Sequence, residues 1–368
     1  MSALIDALRN TLSADRVITD ELRRLAYGTD ASFYRLIPEV VAVVNSEGEV
    51  RRVVDLAREH GRPVTFRAAG TSLCGQAVTD GVLVLLGEGL ATCSISADGR
   101  SVELGPAIIG AEVNRRLAPL GRKIGPDPAS INAAKIGGIA ANNSSGMCCG
   151  TAQNSYNTLS SIRVLLADGT VLDTGEPASV AAFKISHRSL LDRLATLSAE
   201  VRADKALAGR IRAKYKIKNT TGYSLNALVD YSDPVDILAH LMIGSEGTLG
   251  FISRVTYETV PEYAHKASAL AFFSDMESAC RAVVSLKERP VDAVELLDRA
   301  SLRCVAHKPG MPPLLKTLPE GATALLIETR APSGSELELR IASVLEALDA
   351  YPLIEAPAFT TDPAEIER

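Results

Sequence analysis

The chain has 368 residues, a formal charge of -5, no Trp and 4% aromatic residues, which suits two or three globular domains at about 150 residues each, packed closely through Ala, Val, Leu and Gly. The acidic balance, with no recurring block of Lys or Arg that could track phosphates, excludes a nucleic-acid partner. No apolar run approaches the roughly 18 residues of a membrane span and Met1 to Asn10 lacks a basic-then-apolar layout, so the chain reads as cytoplasmic with no transmembrane segment.

In chain order, Leu4, Ile5, Leu8 and Leu12 predict a surface helix packed on one face. Tyr27 to Ile37 is irregular, and Val40 to Val44 reads as a buried strand. Ser46 with Glu49 predicts a capping box, followed by the stripe Val50, Val53, Val54 and Ala57 on a helix closed by Gly61. Pro63 to Phe66 is the next strand, and Val82 to Leu86 another. Between them runs Arg67 to Gln76 (RAAGTSLCGQ), where Gly70 and Gly75 bracket Ala68, Ala69, Thr71 and Ser72. Such a loop lets successive backbone N–H groups face one concavity without interference from Cβ atoms, which makes a seat for an anion.

Strands are expected at about 93–95 and 102–104, and a helix from Ala111 to Leu120. Gly125 to Ser130 is too proline-rich for regular structure. In Lys135 to Gly146 (KIGGIAANNSSG) a glycine pair lets a helix press its backbone against a ligand, with amide and hydroxyl groups after it. Residues 162–166 and 170–172 predict a hairpin, Asp168-Gly169 supplying the positive φ angles of a two-residue turn. Helical patterns cover about 188–213, and a polar loop follows at Lys218 to Tyr223. Asp233-Pro234 opens a further helix, and a third glycine cluster, Ile243 to Gly250, runs into a strand from Phe251 to Val260. After Pro261, strands (266–273, 291–297, 322–329) alternate with helices (276–287, 298–306, 334–349). A domain boundary therefore falls near 262–266, giving domains 1–264, split near 155, and 265–368.

A Rossmann site needs strand, GxGxxG and helix in one βαβ unit. Gly244, Gly247 and Gly250 instead lead into a strand, and no Walker pattern is present. Three separated ligand-facing loops fit a long, extended cofactor better than a nucleotide held at one helix end.

The segments RAAGTSLCGQA (67–77), GPDPASINAAKIGGIAANNSSGMCCG (125–150), VLLADGTVLDTG (164–175), KNTTGYSL (218–225) and IGSEGTLGFIS (243–253) resemble, in order, the FAD-binding domain of the vanillyl-alcohol oxidase superfamily. Within it they are most similar to the FAD-linked D-2-hydroxyacid dehydrogenases of the D-lactate and glycolate type. YGTDASFYRLIPE (27–39) resembles the branch fused to a C-terminal iron-sulfur portion. The resemblance implies an α+β fold, with a PCMH-type FAD-binding domain of two subdomains followed by a partial ferredoxin-like cap. It puts the FAD pyrophosphate on Ala69, Gly70, Thr71, Ser72, Leu73, Gly75 and Gln76. Flavin and ribityl contacts fall on Pro126, Asp127, Ser130, Gly137, Gly138, Ala140, Asn142, Asn143 and Gly146, and Gly244, Glu246, Gly247 and Ile252 close the site. No His lies near either stretch, so the FAD is expected to be noncovalent. Glu246 either bonds the flavin region or caps the following turn. Arg67 either pairs with phosphate or braces its loop.

Oxidising a 2-hydroxy acid needs a hydride acceptor facing C2, a base for the hydroxyl proton and cations for the carboxylate. The family uses histidines, often around a divalent metal, in an HxGDGNxH-like segment that is absent here. His60, His187, His240, His265 and His307 are scattered, so no metal site is assigned, and His240 reads as a structural histidine. The six cysteines (Cys74, Cys93, Cys148, Cys149, Cys280, Cys304) form no CxxC and are expected to be buried small apolar residues, which leaves an iron-sulfur cluster, like a divalent metal, to a C-terminal part beyond this chain. The family's substrate-clamping arginine lies just past a stretch like Asp362 to Arg368, so the cap reads as truncated and the chain as an N-terminal portion that binds FAD with little turnover. Arg35, Lys218, Asn219 and Tyr223 are substrate-side candidates, with an exposed loop charge as the equal alternative for Lys218, and the catalytic base is unassigned.

The expected reaction is oxidation of a D-2-hydroxy acid, foremost D-lactate, to the 2-oxo acid, with hydride to flavin N5. Electrons pass on to a quinone, a cytochrome or a fused iron-sulfur portion, an acceptor that would place the protein peripherally at the inner membrane. The competing readings are a flavin oxidase or a UDP-acetylenolpyruvoylglucosamine-reductase-like enzyme, and a flavin-holding scaffold without catalysis of its own.

Overall fold

The computed structural model describes residues 2–366; Met1, Glu367 and Arg368, the last two from the Asp362 to Arg368 stretch, lie outside the described residues. The chain divides into two compact units, Met1–Val260 and Pro261–Arg368.

In the first unit, β1 (Val17–Ile18), β2 (Val40–Val44), β3 (Val64–Arg67) and β4 (Val82–Leu86) form a sheet in the order β1-β2-β4-β3. β2, β4 and β3 run parallel, and the unbroken apolar runs of β2 and β4 reflect burial on both faces. One face packs on helices Ser2–Thr11 and Glu47–Glu59 through Leu4, Leu8, Val50, Val53 and Ala57. Ser46 caps the second helix by accepting from the Glu49 N–H at 3.2 Å. The reciprocal half of the expected box is not made. Glu49 instead accepts from the Asn45 N–H at 2.7 Å and pairs with Arg16, also at 2.7 Å, because a full positive charge outcompetes the Ser46 amide.

A second sheet takes β5 (Cys93–Ile95), β6 (Ser101–Leu104), β7 (Arg122–Ile124), β8 (Leu159–Leu165), β9 (Val171–Asp173) and β10 (Phe251–Pro261), in the order β5-β6-β10-β8-β9 with β7 also on β10. The two sheets therefore separate between Leu86 and Cys93, whereas the sequence suggests a split near 155. β6 belongs to the second sheet because it pairs with β10, Leu104 opposite Val255, a long-range contact with no local signal. Helices including Gly110–Leu117, Ile136–Asn142, Arg188–Ala203 and Pro234–Met242 cover the sheet around Leu104, Ile139, Ile237 and Tyr257. Helix Pro177–Ser186 was not expected from the sequence. The β8–β9 hairpin forms, but with a longer turn than Asp-Gly suggests. Leu166 N–H bonds the Thr170 carbonyl at 2.8 Å, and of Asp168 and Gly169 only the glycine has positive φ, +85°. His240 is structural: its Nδ1 lies 2.8 Å from the Asp236 carbonyl and its ring stacks 3.9 Å from Tyr231.

In the second unit β11 (His265–Phe273), β12 (Ala293–Leu297) and β13 (Thr323–Ala331) are antiparallel in the order β11-β13-β12. Alternation sends Ala271, Phe273, Leu325 and Ile327 to one face, under helices Met276–Leu286 and Gly334–Leu348, and Phe272 and Ala324 to the other. The outer edge of β11 is occupied: Thr360 exchanges backbone hydrogen bonds with Ser268 at 2.9 and 3.0 Å, and the Ile354 N–H reaches the Phe272 carbonyl at 2.8 Å. The segment around 353–360 thus takes the fourth lane of a ferredoxin-like sheet. Of the cysteines only Cys149 is buried. Cys74, Cys280 and Cys304 are exposed because they sit on a loop and on outward helix faces, correcting the expectation of buried thiols.

An ionic ladder ties the two sheets of the first unit together. Arg163 on β8 and Arg254 on β10 are register partners, a repulsive pairing, and Asp173 on β9 accepts from both with its side chain 3% exposed. Arg163 also makes a bidentate pair, both contacts 2.9 Å, with Glu47 at the start of the helix over the first sheet. Burial pushes the Glu47 carboxyl up, but hydrogen bonds from Arg163 and Ser253 outweigh it and leave it below its ordinary pKa. Its stabilisation is therefore present above about pH 4.3, the unfolded value, and lost as pH falls through the lower folded value. Glu47→Gln should cost about 1–3 kcal/mol at pH 7, read by urea unfolding, and the gap to the parent should close toward pH 3. A gap independent of pH would contradict the ladder.

Candidate functional site

β3 delivers the chain at Arg67, whose Nη1 donates to the Thr29 carbonyl at 2.7 Å and the Tyr27 carbonyl at 3.2 Å. Arg67 thus braces the loop. Gly70 above it adopts φ +73°, and a Cβ there would fall 2.5 Å from Arg67 Nη2, so glycine is required by conformation and by space. Gly75 has φ +79° and abuts the Tyr34 ring. Between them Ser72 Oγ accepts from the Cys74 N–H at 3.2 Å and bonds Gln76 Oε1. The N–H groups of Ala69, Gly70, Thr71, Ser72, Leu73 and Gly75 have no partner among the described residues. An N–H row without partners is a binding surface for an acceptor-rich group.

The loop forms one wall of a groove of about 830 Å³. The opposite wall is helix Ile136–Asn142. Gly137 presses on Pro106, where a Cβ would lie 2.8 Å from the proline Cβ, whereas a Cβ on Gly138 would meet only Ala68 Cβ at 3.6 Å and occupy groove space. The third glycine cluster locks onto the end of this helix: Gly244 N–H bonds the Ala140 carbonyl at 3.1 Å and Glu246 N–H the Ala141 carbonyl at 2.9 Å. All three segments nominated from the sequence therefore meet in one place.

Of the nominated cofactor residues, Ala69, Gly70, Thr71, Ser72, Leu73, Gln76, Ser130, Gly137, Gly138, Asn142, Glu246, Gly247 and Ile252 line the groove. Gly75, Pro126, Asp127, Ala140, Asn143, Gly146 and Gly244 lie behind the wall. Asp127 Oδ1 accepts from the N–H groups of Gly146 (3.0 Å) and Cys149 (3.2 Å), and Asn143, at φ +49°, accepts from the Tyr156 N–H at 3.2 Å. None of the four substrate-side candidates is in the wall. Arg35 is exposed, Lys218 Nζ bonds the Gly146 carbonyl, Asn219 Oδ1 accepts from the Thr221 N–H at 3.4 Å, and the Tyr223 hydroxyl meets Thr248 Oγ1 at 2.8 Å. Their neighbours Thr220, Thr221 and Gly222 line the groove instead.

Sequence reasoning missed Lys135, Phe66 and Phe251. Lys135 donates to the Leu86 carbonyl at 3.0 Å and, with Glu246, supplies the charge in the wall; a lone cation two positions before Gly137 was its signal. Phe66 and Phe251, with rings 5.0 Å apart, give an apolar patch. Glu246, at φ +53°, accepts from Asn142 Nδ2, and burial pushes its carboxyl up against that bond.

A carboxyl raised in the folded state favours folding while it is protonated and loses that advantage as pH rises through the folded value. Glu246→Gln should therefore raise the thermal midpoint of flavin-free protein by roughly 2 °C at pH 8 and leave it unchanged at pH 4. Equal shifts at both values would show that burial does not penalise the ionised form. Gly70→Ala, forced against Arg67, should cost about 1–3 kcal/mol, and a neutral result by urea unfolding would contradict the brace.

Two families match the sequence: "FAD binding domain" over residues 38–175 and "FAD linked oxidases, C-terminal domain" over 262–368. The chain is 26% identical to the glycolate oxidase subunit GlcD of Bacillus subtilis over 84% of its length and 55% of that protein. It is 26% identical to a D-lactate dehydrogenase of Archaeoglobus fulgidus over 85% of its length and 58% of that protein. The chain thus spans little more than half the length of these relatives. Among solved structures, alkyldihydroxyacetonephosphate synthase superposes with a TM-score of 0.68 at 16% identity, over 99% of this chain and 61% of that one, which shows the fold. One polypeptide thus matches a FAD-binding domain followed by the C-terminal domain of FAD linked oxidases, and it has the PCMH-type α+β fold.

Proposed function

We propose that the chain holds FAD noncovalently in the groove and serves an enzyme that oxidises a D-2-hydroxy acid, foremost D-lactate, to the 2-oxo acid. The observation that carries this is the row of partnerless N–H groups from Ala69 to Leu73, in residues that line a groove of about 830 Å³, a size within the range of small-molecule and cofactor sites. The residues fit a dinucleotide. The N–H row suits a pyrophosphate, Lys135 offsets part of its charge, Gly138 leaves room beside the backbone, and Phe66 and Phe251 suit an apolar ring. Cys149, the buried thiol near this wall, has its pKa pushed up to about 11 by burial and then by Asp127, which suits a spectator rather than a flavin-linking nucleophile.

When bound, FAD supplies the two-electron acceptor for hydride from C2 of the substrate, with a quinone, a cytochrome or an iron-sulfur portion next in line. The chain's part is to bind and orient. Glu246, its carboxyl pushed up by burial, accepts from Asn142 and presents to the groove a carboxyl that takes a proton more readily than an exposed one. Arg35, Lys218, Asn219 and Tyr223 remain the substrate-side proposal, although their side chains contribute no groove wall.

Purified protein should carry flavin or take it up on reconstitution, and D-lactate added without oxygen should bleach the bound flavin. Gly138→Leu, whose Cβ would make only ordinary contact with Ala68 Cβ at 3.6 Å beside the groove, should keep the parent thermal midpoint in flavin-free form and lose at least about tenfold in FAD affinity. A colourless protein that cannot be reconstituted, or full FAD affinity in the variant, would overturn the groove. Bound flavin that no 2-hydroxy acid bleaches would leave a flavin-holding scaffold.

A further inference from the structure

Net charge conceals a local exception. Seven of the residues from Arg202 to Lys218 are Lys or Arg and only Asp204 is acidic, in a chain of net charge -5. Asp204 is occupied as a helix cap, accepting from the Leu207 N–H at 2.9 Å. Elsewhere in this chain arginines and lysines are widely paired with carboxylates, yet Lys205, Arg210, Arg212, Lys214 and Lys216 have no carboxylate partner among the described residues. All five are exposed.

The arrangement is fixed by the helix. Ala208 and Ile211 bury the inner face of Lys205–Lys214, so at 3.6 residues per turn Lys205 and Arg212 fall on one flank and Arg210 and Lys214 on the other. Ala206, Gly209 and Ala213 face outward between them, and a Cβ on Gly209 would meet nothing within 4 Å. The end is held down, since the Tyr215 hydroxyl donates to the Tyr223 carbonyl at 2.7 Å and accepts from the Leu225 N–H at 3.0 Å. Beside the cations two large apolar side chains are left in solvent, Leu207 at 41% and Ile217 at 65% exposure.

We propose that helix Lys205–Lys214 with Lys216 and Ile217 is a docking surface for an anionic phospholipid bilayer. Unpaired cations on both flanks of a low-profile helix match an extended sheet of negative charge, and exposed Leu207 and Ile217 supply the apolar second contact that weak electrostatic attachment needs. Small residues between the flanks, with open space over Gly209, leave a low surface that suits a flat bilayer better than a folded acidic partner. The proposal does not depend on the flavin chemistry.

The full chain should co-sediment with vesicles of phosphatidylcholine containing 30% phosphatidylglycerol and not with phosphatidylcholine alone, and the binding should fall several-fold between 50 and 300 mM NaCl. Arg210→Gln/Lys214→Gln/Lys216→Gln should lower the partition coefficient at least about tenfold, and Ile217→Ser should lower it several-fold at high salt, where the charge contribution is screened. The thermal midpoints of both variants should match the parent. Absence of binding to the anionic vesicles, equal binding by parent and triple variant, equal binding to neutral vesicles, or retention on heparin without vesicle binding would each overturn the proposal.

Discussion

The first unit is organised by a parallel crossover made without a helix. β3 and β4 run side by side in the same direction, and the chain between them, Ala68 to Gly81, returns over the sheet with no helical hydrogen bonds of its own. Every polar group of that backbone must find an outside partner. Some do so locally: Asp30 accepts from the Ala77 N–H and Ser72 from that of Cys74. The N–H groups of Ala69 to Leu73 find none among the described residues, and these residues line the groove. The loop keeps its shape without those bonds because Arg67 clamps it from beneath and the strap carrying Tyr27, Thr29 and Tyr34 packs beside it.

The second wall shows how neighbouring glycines take opposite roles. Gly137 and Gly138 are one residue apart, about 100° around a helix, so one allows close packing on Pro106 and the other opens the groove. Behind them, Asp127, Ala140, Asn143 and Gly244 hold the wall through hydrogen bonds to Gly146, Gly244, Tyr156 and Ala140. Such residues position the site without reaching it.

Charge in this protein is placed, not averaged. The Glu47, Arg163, Asp173 and Arg254 ladder pairs opposite charges where the two sheets meet, and its arginines would repel each other across β8 and β10 without Asp173. The helix Lys205–Lys214 does the reverse, leaving cations unpaired in solvent. A net charge of -5 describes neither.

Local rules written in the sequence determined much of this structure. Periodicity and caps set the helix Glu47–Glu59 and the alternating elements of the second unit, and three glycine clusters marked the parts of the groove, because glycine spacing and hydroxyl or amide neighbours are properties of short segments. What only the tertiary structure decided is pairing at a distance. β6 finds β10, the Glu246 amide finds Ala141, Arg67 spends its guanidinium on Thr29 and Tyr27, and Glu49 turns from Ser46 to Arg16. A donor's choice among partners depends on which chain segments fold beside it, and that is set by packing of the whole unit.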